Sequence, residues 1–284
     1  MKVIVRSTMH GAISIVNAIA TGKGSALGIS LNVTAEVKVS DGQGIKYPCS
    51  KPDKLINNIL HYTIPEEIID NNCISVKICS NIPSGWGLKS SSAVSNAVAL
   101  ACTKVATDEV DDRSVLESAV RASRDANVTV TGAYDDSTAC YFGGFVITDN
   151  YLCKLIRRER VQDDLFAIIF LPYNNQRGDI YKLRMLSDLF SDAFKIAERG
   201  DYWKAMKMNG VLTSAAFSAN YEPLLYAIEK GALSASISGN GPSIAAICYK
   251  DNVESVKAAF SKFKGNTLIS AVNNEKASVE KLVG

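Results

Sequence analysis

Residues 32–39 alternate apolar and polar positions, with Val33, Ala35, Val37 and Val39 on one face, and this predicts a half-buried strand. A short β-branched run over 2–6 predicts another. Residues 53–60 and 111–124 carry helical spacing, the latter opened by Asp111 and Asp112. The clearest helix spans 90–105: Ala93, Ala97, Ala101 and Val105 recur every four residues beside Val94 and Val98. That face is small enough to pack closely on a sheet. Residues 129–139 read as a loop or short helix start, and 145–147 and 166–171 as buried strands. After Pro172 the texture changes. Helices are predicted over 180–198, 201–217, 222–230 and 252–263, and strands over 233–238, 243–248 and 267–272. Strands mixed with segregated helices make this an α+β chain. The texture shift divides it softly at 150–175, into residues 1–160 and 161–284. No long linker separates the two, so they should share an interface.

The 284 residues carry 31 Lys and Arg against 29 Asp and Glu, a formal charge of +2. That balance gives no case for nucleic acid or an anionic membrane as main partner. The densest basic run, Arg157-Arg158-Glu159-Arg160, is broken by an acid and reads as a solvated turn. The seven cysteines are odd in number and lack a Cys-x-x-Cys pair, so neither a disulfide framework nor a zinc ribbon is expected. Several lie within apolar runs and read as small core groups, which fits a reducing cytoplasm. His10 and His61 are the only histidines, which argues against a multi-histidine metal site. The opening 20 residues are interrupted by Arg6, His10 and Asn17 and do not read as a signal peptide. No stretch is long and apolar enough to span a membrane.

The most informative stretch is Pro83-Ser84-Gly85-Trp86-Gly87-Leu88-Lys89-Ser90-Ser91-Ser92-Ala93. A strand pattern over 74–78 runs into it and the 90–105 helix leaves it. Such a turn aims backbone N–H groups and hydroxyls at one point, where the helix dipole adds about half a positive charge. That combination suits phosphate. It can also be a tight turn with a Ser N-cap. It is not a Walker A loop, because Gly22-Lys23 is followed by Gly24 and position 17 is Asn. A second polar stretch, Thr131-Gly132-Ala133-Tyr134-Asp135-Asp136-Ser137, precedes Gly143-Gly144. A third, Ser236-Ile237-Ser238-Gly239-Asn240-Gly241-Pro242, joins two apolar strands and would alone be a β-turn.

The spacing Pro-x-x-x-Gly-Leu-x-Ser-Ser resembles the phosphate loop of the GHMP kinases, and the other two stretches follow in that family's order. The resemblance implies a GHMP kinase fold, with an N-terminal half like ribosomal protein S5 domain 2 and a C-terminal ferredoxin-like half. It implies ATP as phosphoryl donor, bound through Pro83, Gly85, Gly87, Leu88, Lys89, Ser90, Ser91 and Ser92. It implies Mg²⁺, with Ser91 and Asp125 as ligands. It also implies a catalytic carboxylate. Counting seven back from Gly143 selects Asp136, whereas a Gly-x-x-Asp count selects Asp135. Ser238, Gly239, Asn240 and Gly241 would lie near substrate or nucleotide. The N-terminal Pro-Gly-Lys element common in the family is missing. Instead, residues 7–18 with Thr21-Gly22-Lys23-Gly24 are similar to the archaeal-type shikimate kinases. That branch phosphorylates a hydroxyl of shikimate in aromatic amino acid biosynthesis. His10 belongs to this opening segment, and Arg6, Lys23 and Arg177 are candidate cations for the substrate carboxylate. Asn57 and Asn58 are candidates for adenine contacts. The alternatives are a homoserine kinase or a non-catalytic ligand sensor of the same fold. The oligomeric state is left open.

Overall fold

The structure is a computed structural model that describes residues 3–49, 51–107, 109–174 and 176–283. Two long strands, β1 (Val3–Val16) and β2 (Lys23–Asp41), form an antiparallel ribbon at its centre. The short strand expected at the N-terminus is only the first part of β1; residue 2 lies outside the described residues. β2 likewise begins nine residues before the alternating stretch. Its first part holds Gly24, Ala26, Leu27 and Gly28, which are buried on both faces and so show no period of two.

After β3 (Gly44–Lys46) come α1 (Lys54–Thr63) and α2 (Glu66–Asn71), then β4 (Asn72–Ser80). α1 starts where Asp53 accepts the Ile56 N–H. Next are α3 (Ser90–Ala106), α4 (Asp112–Asp125), α5 (Tyr134–Phe142), β5 (Phe145–Asp149), β6 (Lys154–Glu159) and β7 (Leu165–Pro172). The remainder is α6 (Ile180–Arg184), α7 (Ser187–Glu198), α8 (Tyr202–Phe217), α9 (Glu222–Glu229), β8 (Ser234–Ile237), β9 (Ile244–Tyr249), α10 (Val253–Phe260), β10 (Gly265–Ala271) and β11 (Ser278–Val283).

Among the described residues the strands form two sheets. The first runs β11-β1-β2-β4-β3, with β5 on the far part of β2 and β6 beyond it. The second is antiparallel, in the order β10-β7-β9-β8. β11 joins the first sheet, so the chain's last strand pairs with its first. It is mostly exposed and carries no hydrophobic alternation that would have announced it.

α3 lays its small face on β1 and β2, and Ala93, Ala97 and Ala101 are fully buried there. The helix expected over 180–198 is instead α6 and α7. The break falls at exposed Met185 and non-helical Leu186, and Asp188 in the first turn of α7 favours a new N-terminus. The basic run 157–160 is not a solvated turn. It lies largely in edge strand β6, where alternation sends Arg157 over the helices to the Ala197 carbonyl and the Tyr202 hydroxyl, both at 3.0 Å. Arg158 donates to the carbonyls of Gly143 (3.3 Å) and Asn274 (3.1 Å).

One large core joins the two sheets. It runs from β1 and β2 through α3, α4 and α5 to Phe190 and Phe194 of α7 and Met206 of α8. β7 faces this core with Ala167, Ile169 and Leu171. With Ile168 and Phe170 it faces a second core against α9 and α10. Both faces are buried, which is why 165–171 reads as an unbroken apolar run.

Phe190 is fully buried in the shared core. Phe190→Ala should lower unfolding stability by about 3–5 kcal/mol. Urea denaturation followed by far-UV circular dichroism should show one cooperative transition at lower midpoint. A transition confined to one half of the chain would contradict a shared core.

Candidate active site

β4 and the turn after it deliver a loop whose backbone is unusual at three positions. Gly85, Gly87 and Lys89 all have positive φ, of 86°, 77° and 64°. Gly87 has a steric reason to be glycine. A Cβ there would lie 2.1 Å from the Ser238 carbonyl oxygen. Ser238 in turn donates from Oγ to the Gly87 carbonyl at 2.7 Å, so the phosphate-loop candidate and the C-terminal glycine-rich turn are one unit. α3 begins directly after Lys89, and no side chain caps it. The Ser N-cap of the tight-turn alternative is therefore absent. The N-terminal N–H groups of α3 face a cleft lined by Gly85, Gly87, Leu88, Lys89, Ser90, Ser91 and Ser92.

α5 brings a second helix N-terminus to the same cleft. It starts after Ala133, whose backbone is left-handed (φ 49°) and whose side chain offers no cap; the Asn150 side chain accepts the Asp135 N–H instead. Its first turn carries Asp135 and Asp136. Gly24 of β2 makes room for this turn, because a Cβ there would lie 2.6 Å from Asp135 Oδ2. Asn96 of α3 donates to the Ser137 carbonyl at 2.8 Å and sets the two helices against each other.

The two acids have different surroundings. Asp135 is buried and fixed by Asn150. Its N–H donates to Asn150 Oδ1 (2.9 Å), and Asn150 Nδ2 donates to Asp135 Oδ1 (2.7 Å). Asn150 also takes the Thr148 hydroxyl and donates to Thr131, and Arg124 donates to the carbonyls of Asn150 and Thr131. Asp136 instead points into the cleft, where its Oδ1 lies 2.8 Å from Lys89 Nζ. Lys89 Nζ also donates to Ser14 Oγ at 2.8 Å, and Ser14 Oγ accepts the Gly239 N–H at 2.9 Å. Lys89 is thus a buried ammonium held between β1, α5 and the glycine-rich turn, not a loop lysine in water.

Burial pulls the Lys89 ammonium toward neutrality, but the Asp136 and Asp135 carboxylates outweigh it and raise its pKa. Burial, then the neighbouring Asp136 charge, pushes Asp135 up to about 7, against the opposing pull of Lys89 and Asn150.

Asp135, Asp136, Lys89, the three serines, Gly239, Asn240 and Arg177 all line this one cleft. Arg177 donates from Nε to the Gly85 carbonyl at 3.2 Å. Pro83 opens the loop but lies outside the lining, and Gly241 lines a neighbouring cavity. The structure does not bring His10, Lys23, Arg6 or Asp125 to the cleft. His10 sits on β1 opposite Asn32. Lys23 lies over the Phe194 ring at 5.8 Å, and Arg6 pairs with Glu36 at 3.1 Å. Asp125 accepts the Tyr62 hydroxyl and lies 4.0 Å from Arg121, because the last turn of α4 faces α1. Asn57 and Asn58 are engaged by Tyr47 and the Ala122 carbonyl respectively. Sequence reasoning passed over Ser14 and Asn17, which line the cleft, and Asn150, which holds Asp135. Ser14 and Asn17 stand in the unusual opening segment, which was the available signal. Nothing marked Asn150.

Among the described residues, no three His, Cys, Asp or Glu side chains cluster as a metal cage. The oxygen groups lining the cleft include the carboxylates of Asp135 and Asp136 and the Ser91 hydroxyl. Asp136 Oδ1 is buried with its ion pair but no directed hydrogen bond. This donor set fits a cation that arrives with phosphate and keeps much of its water, as Mg²⁺ does.

The GHMP kinases N terminal domain model matches residues 54–144, and the GHMP kinases C terminal model matches 204–266. The chain is 34% identical to the shikimate kinase of Methanobrevibacter smithii, over 96% of this chain and 98% of that one. It is 36% identical to the shikimate kinase of Methanothrix thermoacetophila (95% and 94% covered) and 35% identical to that of Pyrococcus furiosus (92% and 96% covered). Among solved structures it superposes on a phosphotransferase related to the CoA biosynthesis pathway, with TM-score 0.79 at 12% identity, covering 99% of this chain and 100% of that one. It superposes on L. major mevalonate kinase with TM-score 0.71 at 15% identity, covering 95% and 96%. At these identities the superpositions establish the fold.

The raised pKa of Asp135 has a consequence for stability. Between the ordinary carboxylate range and about pH 7, the folded state holds a proton that the unfolded state has released. Stability should therefore fall as pH rises through this window. Asp135→Asn keeps an acceptor for Asn150 but removes the titration. Thermal unfolding from pH 4.5 to 8 should show a decline in the wild type that is reduced in Asp135→Asn. Parallel profiles would mean that Asp135 is ionised throughout.

Proposed function

The chain belongs to the GHMP kinase family, among the shikimate kinases of that fold, and from that premise we propose that it transfers the γ-phosphoryl group of ATP to the 3-hydroxyl of shikimate. The carrying observation is that Asp136, ion-paired to Lys89, faces the cleft on which the N-termini of α3 and α5 converge.

Each residue has a role that follows from its setting. The N–H groups of Ser90–Ser92 and the serine hydroxyls hold phosphate at the N-terminus of α3. Asp136 accepts the proton of the substrate hydroxyl as that oxygen bonds to the γ-phosphorus and the bond to the departing ADP oxygen breaks. Lys89 keeps Asp136 aimed through their 2.8 Å ion pair. Asp135, buried at the cleft wall and tied to Asn150, holds the first turn of α5 in place. Arg177 is the cationic side chain of the cleft suited to the substrate carboxylate or a phosphate. Ser91 and Asp136 would hold Mg²⁺, which neutralises phosphate charge when bound; Asp125, directed at Tyr62, is poorly placed for it. Among the described residues no helix is long and apolar enough to cross a membrane. We further propose a cytoplasmic location and functional halves at 1–160 and 161–284, with β11 returning to the first.

An ADP-release assay should show turnover with shikimate, ATP and Mg²⁺, and none with homoserine or mevalonate. Turnover of homoserine but not shikimate would assign the chain to another kinase, and no turnover of any acceptor would favour a ligand sensor.

Asp136→Asn should lower kcat by about 10²-fold or more with little change in ATP affinity, since the amide keeps the shape but cannot take the proton. Asp135→Asn should keep far more of the rate. The reverse ranking would make Asp135 the base.

A further inference from the structure

Behind the glycine-rich turn lies a second cavity of about 690 Å³, within the size range of small-molecule sites. Its walls are apolar, formed by the rings of Phe170, Phe217 and Phe263 with Ile237, Ile244 and Pro242. Its rim is cationic. Arg177, Lys182 and Lys264 line it against one acid, Asp179, whose carboxylate already accepts the Tyr181 N–H as the cap of α6. Gly178 lets the rim lie flat on the wall, since a Cβ there would be 2.1 Å from the Phe217 ring. The cavity shares Arg177 and Asn240 with the phosphate-binding cleft. Arg177 reaches from this rim to the Gly85 carbonyl, and the Gly178 N–H donates to the Asn240 carbonyl at 3.0 Å.

We propose that this cavity binds a small aromatic carboxylate, and that the bound carboxylate antagonises the nucleotide by drawing Arg177 away from the phosphate loop. The three phenylalanine rings supply a face for an aromatic ring, and the lysines flank the position of its acid group. An occupant that competes for one shared guanidinium must weaken the other ligand, and the reverse, by the same factor. The coupling rests on the proposed nucleotide cleft; the binding does not, and it is measured with no nucleotide or acceptor present.

The probe is 3-phenylpropionate, followed by isothermal titration calorimetry on the full chain. It should bind one to one, with its uncharged amide weaker by about tenfold or more, the difference an ion pair of useful strength produces. Lys182→Glu with Lys264→Glu should lose about tenfold in acid binding, and Ala219→Phe, which fills the cavity, should abolish it. Both variants should retain the wild-type circular dichroism and kinase rate. At saturating probe the KM for ATP should rise with kcat unchanged. Absence of binding, equal binding of acid and amide, or wild-type affinity in either variant would overturn the site. An unchanged KM would overturn the coupling through Arg177.

Discussion

The ion pair between Lys89 and Asp136 is the interaction on which the site depends. Both groups are largely out of water, and a buried pair is tolerable only with good geometry and further partners. The structure supplies them: a 2.8 Å approach, the Ser14 hydroxyl on the same ammonium, and Ser14 in turn fixed by Gly239. The pair spans sequence-distant pieces, the loop before α3 and the first turn of α5. It therefore fixes how two helix N-termini converge. Had either end been removed, a buried charge would remain without its counterpart.

Such closeness requires small residues wherever backbones meet. Gly87 sits against the Ser238 carbonyl, Gly24 against the Asp135 carboxylate, and Gly28 against Gly143, where a Cβ would come within 2.9 Å. The alanines of α3 do the same on the sheet side. Replacing this packing with larger side chains would separate α3 from α5 and stretch the ion pair. The β1–β2 ribbon is thus more than a core: it sets the spacing at which the proposed proton acceptor and phosphate loop would serve one reaction.

The sequence made most of this legible where periodicity or steric punctuation is strong. α3 and α4 show regular spacing, and the phosphate loop shows glycines that the structure explains by positive φ and close approach. The pairing of α5 with the loop was legible only through resemblance, because neither Asp135 nor Asp136 has a local signature. The elements that escaped, β3, α2, β6 and β11, are short, edge-lying or exposed, so hydrophobic pattern has little to record there. Spacing rules failed for Asp125 for a physical reason. One methylene shorter than Glu, on a helix turn facing α1, its carboxylate meets Tyr62 and Arg121 first. Residues such as Asn150 act entirely through tertiary contacts and leave no trace in a linear pattern.

The charge inventory of the cleft explains why a cation is needed for the proposed reaction. Lys89 lies inside the phosphate loop, yet its charge is committed to Asp136 and shared with Asp135. Two acids and one ammonium leave at most one net negative charge. The two helix N-termini offset that with roughly half a positive charge each. With Asp135 ionised, the empty cleft apart from Arg177 is then near balance, and its own side chains have little to spare for a multiply charged triphosphate. Arg177 can contribute one charge, but it stands at the exposed rim and donates to Gly85. The remainder has to arrive with the nucleotide, which is the physical argument for Mg²⁺ entering as its complex rather than waiting in a protein cage. It also explains how Lys89 can serve the proposed base. Relieved of the phosphate, it pairs with Asp136 while buried Asp135 beside it is driven toward its protonated form. The division of labour between two adjacent acids is thus set by which of them the single lysine faces.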